Sequence, residues 1–435
     1  MRAKERIKTL LIVLLSVSAV GLGLGTGLFD GAIRSMGFYA TIEEMLLPEA
    51  TPQYAVVSAA RPTAALASLG PDTAYGHRWD GPASVGVIDL YGQFFGILGE
   101  AFGSSGPPIP VSRADWEATL SNPGVFFRYD LELPGSVLTR WFGTEPGAIA
   151  QPLQMLYLSV HSGRVYLYFM GGDNLPHRAA TAVRAEDILE ILHTLTPNGA
   201  RFGFQATADP ALDPNTILLP RYDQIPTVLE QSAIGGIYRN LDELLTRLHI
   251  TALARSMDEG GTRIFVEEGA TLRISEDGVI HYLYRGDAPR ITTGESAPDL
   301  WEAIELARQI ADILALTSGA ADIYLTEFDQ QGDTFTIRFG YYIGSLPIWT
   351  DVPAAQVTIS GRYVTEVTLF ARNYYQTDLF SAVLPEIQAT AAAGDIPLRL
   401  AYAPADTVDG NPVQTGTELR ARWTLGAVGE GGRHG

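Results

Sequence analysis

An α+β fold is what this sequence predicts: a single N-terminal transmembrane helix, then two or three extracytoplasmic modules with antiparallel sheets and packed helices. Three observations carry that expectation. Three stretches alternate apolar and polar residues on both sides of a short Gly-containing turn, amphipathic helical patterns lie between them, and the chain begins with basic residues followed by a long uncharged run.

The hairpins are the clearest elements. In LYLSVHSGRVYLYFM, Leu156, Leu158 and Val160 precede His161, Ser162 and Gly163, and Val165, Leu167 and Phe169 follow. TLRISEDGVIHYLYR turns at Glu276, Asp277 and Gly278, and AQVTISGRYVTEVTLFAR turns around Ser360 and Gly361. Period-two alternation lays one face of each hairpin on a core, and a turn glycine accepts the positive φ of tight connections. A further strand pair is expected from Asp322 to Phe328 and from Thr334 to Ile343.

Between the sheets, SAPDLWEAIELARQIADILALTSG reads as a helix with Ser296 as N-cap and a stop at Gly319. Leu300, Ile304, Ala307, Ile310 or Ala311, and Leu314 share its apolar face. Shorter helices are expected at 113–120 after Ser112, at 185–195, at 241–254 and at 378–393. Hairpin connections in place of regular βαβ alternation indicate α+β modules. A Pro- and Asp-containing stretch at 206–215 marks a boundary, which gives expected modules at 30–205, 206–295 and 296–425 and a Gly-rich, disordered tail at 426–435.

At the N-terminus, Arg2, Lys4, Arg6 and Lys8 outnumber Glu5 in an eight-residue basic tail, and no charge occurs from Leu10 to Phe29. At about 1.5 Å per residue such a helix is about 30 Å long, enough to cross the hydrocarbon core, so 9–29 is the expected span. The positive flank keeps the N-terminus cytoplasmic and places the body outside the cell membrane. The competing reading is a signal peptide cut near Ser16, Ser18 and Ala19. A retained anchor is favoured because the apolar run continues past that site. Gly21, Gly23, Gly25 and Gly27 form two overlapping G-x-x-x-G spacings, which offer a transmembrane interface; the same run also reads as the loose end of a signal sequence.

Composition excludes several kinds of chemistry. A formal net charge of −19 repels nucleic-acid phosphates. With no cysteine there are no disulfides, thiolate metal sites or cysteine nucleophiles. The only lysines are Lys4 and Lys8, so the body contains no P-loop, Schiff-base or Ser-Lys machinery. No H-E-x-x-H or G-x-S-x-G occurs, and Glu267 and Glu268, adjacent on a strand, point to opposite faces. No catalytic residue, cofactor or metal is therefore expected.

Aromatic residues stand out instead: Tyr341, Tyr342, Trp349, Tyr363, Phe370, Tyr374 and Tyr375 crowd the third hairpin. Exposed, with Tyr342, Trp349 and Tyr363 around a cleft, they would form a binding face for a cell-wall fragment or small ligand. Buried, they are a sheet core, which the alternation favours.

This region also resembles the YycH and YycI proteins, through Tyr341, Gly344, Leu346, Pro347 and Ile348, the hairpin from Val357 to Leu369, and Arg372 with Tyr374. Upstream, Trp116, Leu120, Val125, Tyr129, Pro134, Leu138 and Trp141 look similar to the N-terminal half of YycH. The length favours YycH over the shorter YycI. The resemblance implies a membrane-anchored, non-enzymatic regulator of a cell-wall two-component system of Gram-positive bacteria. Its implied partners are a WalK-like sensor histidine kinase, contacted chiefly through the transmembrane segment, and a second single-span, YycI-like protein.

Overall fold

The computed structural model describes residues 59–425, apart from 72, 79–85, 146, 207–211, 221–223, 252–253, 287–290, 293–295, 394–397 and 405–416. The expected span, its four glycines and the tail at 426–435 lie outside the described residues. Among the described residues, no helix is long and apolar enough to cross a membrane.

The first sheet contains β1 (Pro62–Gly70), β2 (Thr73–His77), β3 (Ile109–Pro110), β4 (Gly124–Pro134), β5 (Pro152–His161), β6 (Arg164–Met170) and β7 (Pro176–Ala180), in the order β2-β1-β4-β5-β6-β7-β3. It is antiparallel throughout. The β5–β6 turn holds Ser162 at φ 52 and Gly163 at φ 73, the left-handed pair a two-residue hairpin requires.

Both faces of this sheet are covered. Helices α1 (Val87–Gly103) and α4 (Ala185–Thr194) pack on β1, and Tyr91 of α1 meets Phe127 edge-on at 5.4 Å. Two shorter helices, α2 (Arg113–Thr119) and α3 (Gly135–Trp141), lie between them in sequence. On the opposite face Leu66, Phe126 and Tyr157 join Trp116 of α2, together with Phe202 and Ile217 from a small ribbon of β8 (Arg201–Phe202) and β9 (Ile217–Leu218). Hence Phe126 and Phe127, adjacent on β4 and pointing to opposite faces, are both fully buried. Each contributes about 2 kcal/mol of transfer free energy.

The remaining strands are β10 (Ile225–Ser232), β11 (Arg255–Glu259), β12 (Thr262–Glu267), β13 (Ala270–Ile274), β14 (Val279–Tyr284), β15 (Asp322–Gln331), β16 (Thr334–Ile343), β17 (Leu346–Pro347), β18 (Ala355–Ser360), β19 (Tyr363–Phe370), β20 (Arg372–Ser381), β21 (Leu398–Pro404) and β22 (Thr417–Leu425). A nine-stranded sheet runs β11-β12-β13-β14-β19-β18-β16-β15, with β17 folded back on β16, and a four-stranded sheet runs β20-β10-β22-β21. One cross-strand row of the larger sheet, Leu272–Tyr282–Val367–Val357–Ile337, is buried. The neighbouring row, Arg273–His281–Thr368–Gln356–Arg338, is polar.

All four expected hairpins form, but they do not divide into the expected modules. Strand β14, from the expected 206–295 module, pairs with β19, and β10, from the same module, pairs with β20 and β22. The residues at 206–295 and 296–425 therefore share two sheets. Isolated hairpins are marginal in water, and their open edges are satisfied by each other.

Helix boundaries also differ from expectation. The helix expected from Ser296 is α6 (Leu300–Ala311), numbered after α5 (Leu241–Arg247). Its N-cap is Asp299, whose carboxylate accepts from the Glu302 N–H while the Glu302 carboxylate accepts from the Asp299 N–H, a reciprocal capping box. Helix α5 stops well short of 254 because His249 turns left-handed at φ 52, with its N–H on the Thr246 carbonyl. The helix expected over 378–393 is replaced by strand up to Ser381, followed by α7 (Glu386–Ala393). Here pairing with β10 prevails, and Pro385 disfavours helical backbone at Leu384.

Candidate interaction surface

The chain passes between two sheets at a single residue. Strand β19 ends at Phe370, Ala371 is buried, and β20 begins at Arg372 in the four-stranded sheet. The Arg372 guanidinium holds this corner: Nε donates to the Glu230 carboxylate at 2.8 Å, Nη1 donates to the Asp277 carbonyl at 2.6 Å, and the group lies over the Phe370 ring. Tyr341 completes it, its hydroxyl donating to the Phe370 carbonyl at 2.6 Å and accepting from the Arg372 N–H at 3.3 Å. The Tyr341 and Tyr374 rings meet at 5.0 Å, and burial pushes both phenols above their ordinary range.

Of the residues that carried the family resemblance, Tyr341, Ile348, Arg372 and Tyr374 thus converge on a structural corner. Gly344 (φ 59) turns β16 into β17, and the Ile348 N–H donates to the Tyr341 carbonyl at 2.8 Å. Tyr341, Ile348, Arg372 and Tyr374 hold one sheet against the next.

Beyond the corner, β20 is the outer strand of its sheet. Its backbone is blunted twice. Near Tyr374 the outer side is capped, the Ala320 N–H donating to the Tyr374 carbonyl and the Tyr374 N–H to the Ser318 carbonyl. Farther along, Val228 faces Gln376 and Pro226 faces Phe380, so Thr377, Asp378 and Leu379 bulge opposite Thr227 alone.

The side chains are another matter. Tyr375, Leu379, Phe380, Leu384 and Ile387 are 46%, 61%, 52%, 54% and 41% exposed, a run of apolar residues along the chain from β20 into the first turn of α7, here called the ribbon. Its connecting loop is anchored where Trp423 of β22 donates Nε1–H to the Leu384 carbonyl at 2.8 Å. Exposed apolar side chains grouped along one segment make it the candidate contact surface of the described residues.

The three residues of the possible aromatic face differ in exposure. Tyr342 is buried, Trp349 is exposed on the segment after β17, and Tyr363 is half-buried under the Arg362 guanidinium at the β18–β19 turn. Tyr342 instead enters a junction of three sheets. Asp130 of β4 accepts from Arg399 of β21, from the Thr63 hydroxyl at 2.8 Å and from the Tyr342 hydroxyl at 3.4 Å. Arg399 also donates to the Tyr342 hydroxyl at 3.1 Å, and burial raises that phenol.

Neither the ribbon nor the junction was foreseen from sequence. Leu379 and Phe380 fall in the stretch expected to be helical, and Asp130 and Arg399 are 269 positions apart with no local motif at either end. Among the described residues, no group of three or more His, Asp or Glu side chains is placed to hold a metal ion.

No family model matches the chain, and no curated protein matches it in sequence. Among solved structures, the crystal structure of YycH from Bacillus subtilis is similar to it, with a TM-score of 0.48 and 10% identity, over 79% of this chain and 91% of that chain.

Proposed function

We propose that this chain is a non-enzymatic, single-span membrane protein that regulates a WalK-like sensor histidine kinase of a cell-envelope two-component system through transmembrane and extracytoplasmic protein contacts. Its partners in this reading are the kinase and a second, YycI-like single-span protein. The observation that carries it is the apolar ribbon from Tyr375 to Ile387, kept in water on a strand whose backbone is otherwise blunted. The uncharged run from Leu10 to Phe29 behind four basic residues supports an anchored chain with its body outside. A bound helix adjusts a kinase only by preferring one of its two states, so small-residue faces that pack closely in lipid suit the role.

The test is co-purification of the full-length chain with a co-expressed sensor kinase after replacing Gly21 and Gly25, and separately Gly23 and Gly27, with leucine. Loss of association in one variant is the expected result. Undiminished association in both would remove the span from the interface.

A further inference from the structure

A cavity of about 460 Å³ lies between the β1–β2 pair, the β8–β9 ribbon and the start of α7. Elements far apart in sequence therefore build it, and clefts of this kind are where small molecules bind. Leu66, Leu120, Phe202 and Leu218 lie buried behind it, and Leu219, Pro220 and Pro385 supply the apolar surface that stays accessible. Two charged residues line it, Arg201 and Glu386.

These two charges differ in their surroundings. Glu386 is 3% exposed, and its carboxylate lies 3.1 Å from Nε of Arg78, which also donates to the Ile217 carbonyl. That negative charge is matched from behind the wall. Arg201 is exposed and, among the described residues, its guanidinium has no ion pair. Four positions on, Gln205 spends its side-chain oxygen on the Phe202 N–H at 2.9 Å, which leaves its NH₂ group as a second donor on the same wall. The unmatched charge of the cavity is thus positive, in a chain of net charge −19.

We propose that this cavity binds a small monocarboxylate with a compact apolar body. The apolar part lies against Leu219, Pro220 and Pro385, and the carboxylate is held by Arg201 with help from Gln205. A planar guanidinium takes a carboxylate in a paired, charge-assisted contact, whereas an ammonium would face that same positive charge. Because Glu386 and Ile387 come from α7, Pro385 immediately precedes it and the rest come from residues before 221, an occupant also ties those elements together and raises the melting temperature. The proposal stands independently of the regulatory reading.

Calorimetric titration of the full-length chain in detergent with phenylbutyrate and with phenylbutylamine, which share the apolar part and differ in charge, tests it. Expected are saturable one-to-one binding of phenylbutyrate, at least about tenfold tighter than the amine, and a loss of about tenfold in Arg201→Gln. Arg164→Gln, a change at the exposed β5–β6 turn, is the control and leaves the affinity unchanged. Equal or tighter binding of the amine, no saturation by phenylbutyrate at about 10 mM, or undiminished affinity in a folded Arg201→Gln protein would each overturn the assignment.

Discussion

Strands β11 and β20 are both outer strands of antiparallel sheets, and they treat water differently. All five residues of β11 are exposed, and Arg255, Asp258 and Glu259 put charge on most of it. Charge of that kind discourages pairing with another chain. Strand β20 defends its backbone by a cap at Tyr374 and a bulge at 377–379, yet presents Tyr375, Leu379 and Phe380 to solvent. The contrast shows that an edge can refuse strand addition while its side chains stay adhesive. That combination suits a specific protein contact rather than indiscriminate association.

The strongest way to break the contrast is to remove the cap. Gly319 sits at φ 67, and an added Cβ would meet the Asn373 side-chain oxygen and the Tyr374 carbonyl, the latter at 2.5 Å. Gly319→Ala should therefore cost about 3 kcal/mol in urea denaturation, with faster amide exchange concentrated in β20. Next in size is Arg372→Met, which strands Glu230 in a largely buried position at a cost of about 2 kcal/mol. Gly260→Ala, in the β11–β12 turn, is the counterpart to the first change: φ is 54 and nothing lies within 4 Å of the new methyl. Its cost should be about 1 kcal/mol, without altered exchange in β20.

The smallest effect is electrostatic. The Ser275 hydroxyl, followed by the Val279 N–H, holds the Asp277 carboxyl below its ordinary range, in the turn whose backbone receives Arg372. A carboxyl lowered in the folded state adds stability that is present above its unfolded value and is lost as pH falls through the folded one. Asp277→Asn should thus cost under about 1 kcal/mol near pH 7, because the group is exposed. Below about pH 4 the difference from the wild type should shrink steadily.

Sequence made the hairpins legible because alternation and turn chemistry are local. Gly163, Gly278, Gly332 and Gly361 all take the positive φ that their turns need. It did not show which hairpins would share a sheet, since the pairings His281–Thr368 and Val228–Leu419 join residues separated by most of a domain. Segment 378–381 was misread for the same reason: its strand is imposed by β10, and nothing in Asp378-Leu379-Phe380-Ser381 alternates. The candidate surface inherits that blindness, because exposure of Leu379 and Phe380 follows from being on an outer strand. The aromatic cluster was visible in sequence, but whether each ring faces core or water depended on those pairings too.

The central claim is that the β20 ribbon, and not the β11 edge, touches protein in the cell. Placing a photo-crosslinking amino acid at Leu379 and, separately, at Met257 of β11 in the full-length chain, then irradiating intact cells, tests it directly. The account predicts a discrete adduct with a single-span membrane protein or a sensor kinase at position 379 and none at 257. No adduct at 379, or the same adducts at both positions, would contradict it.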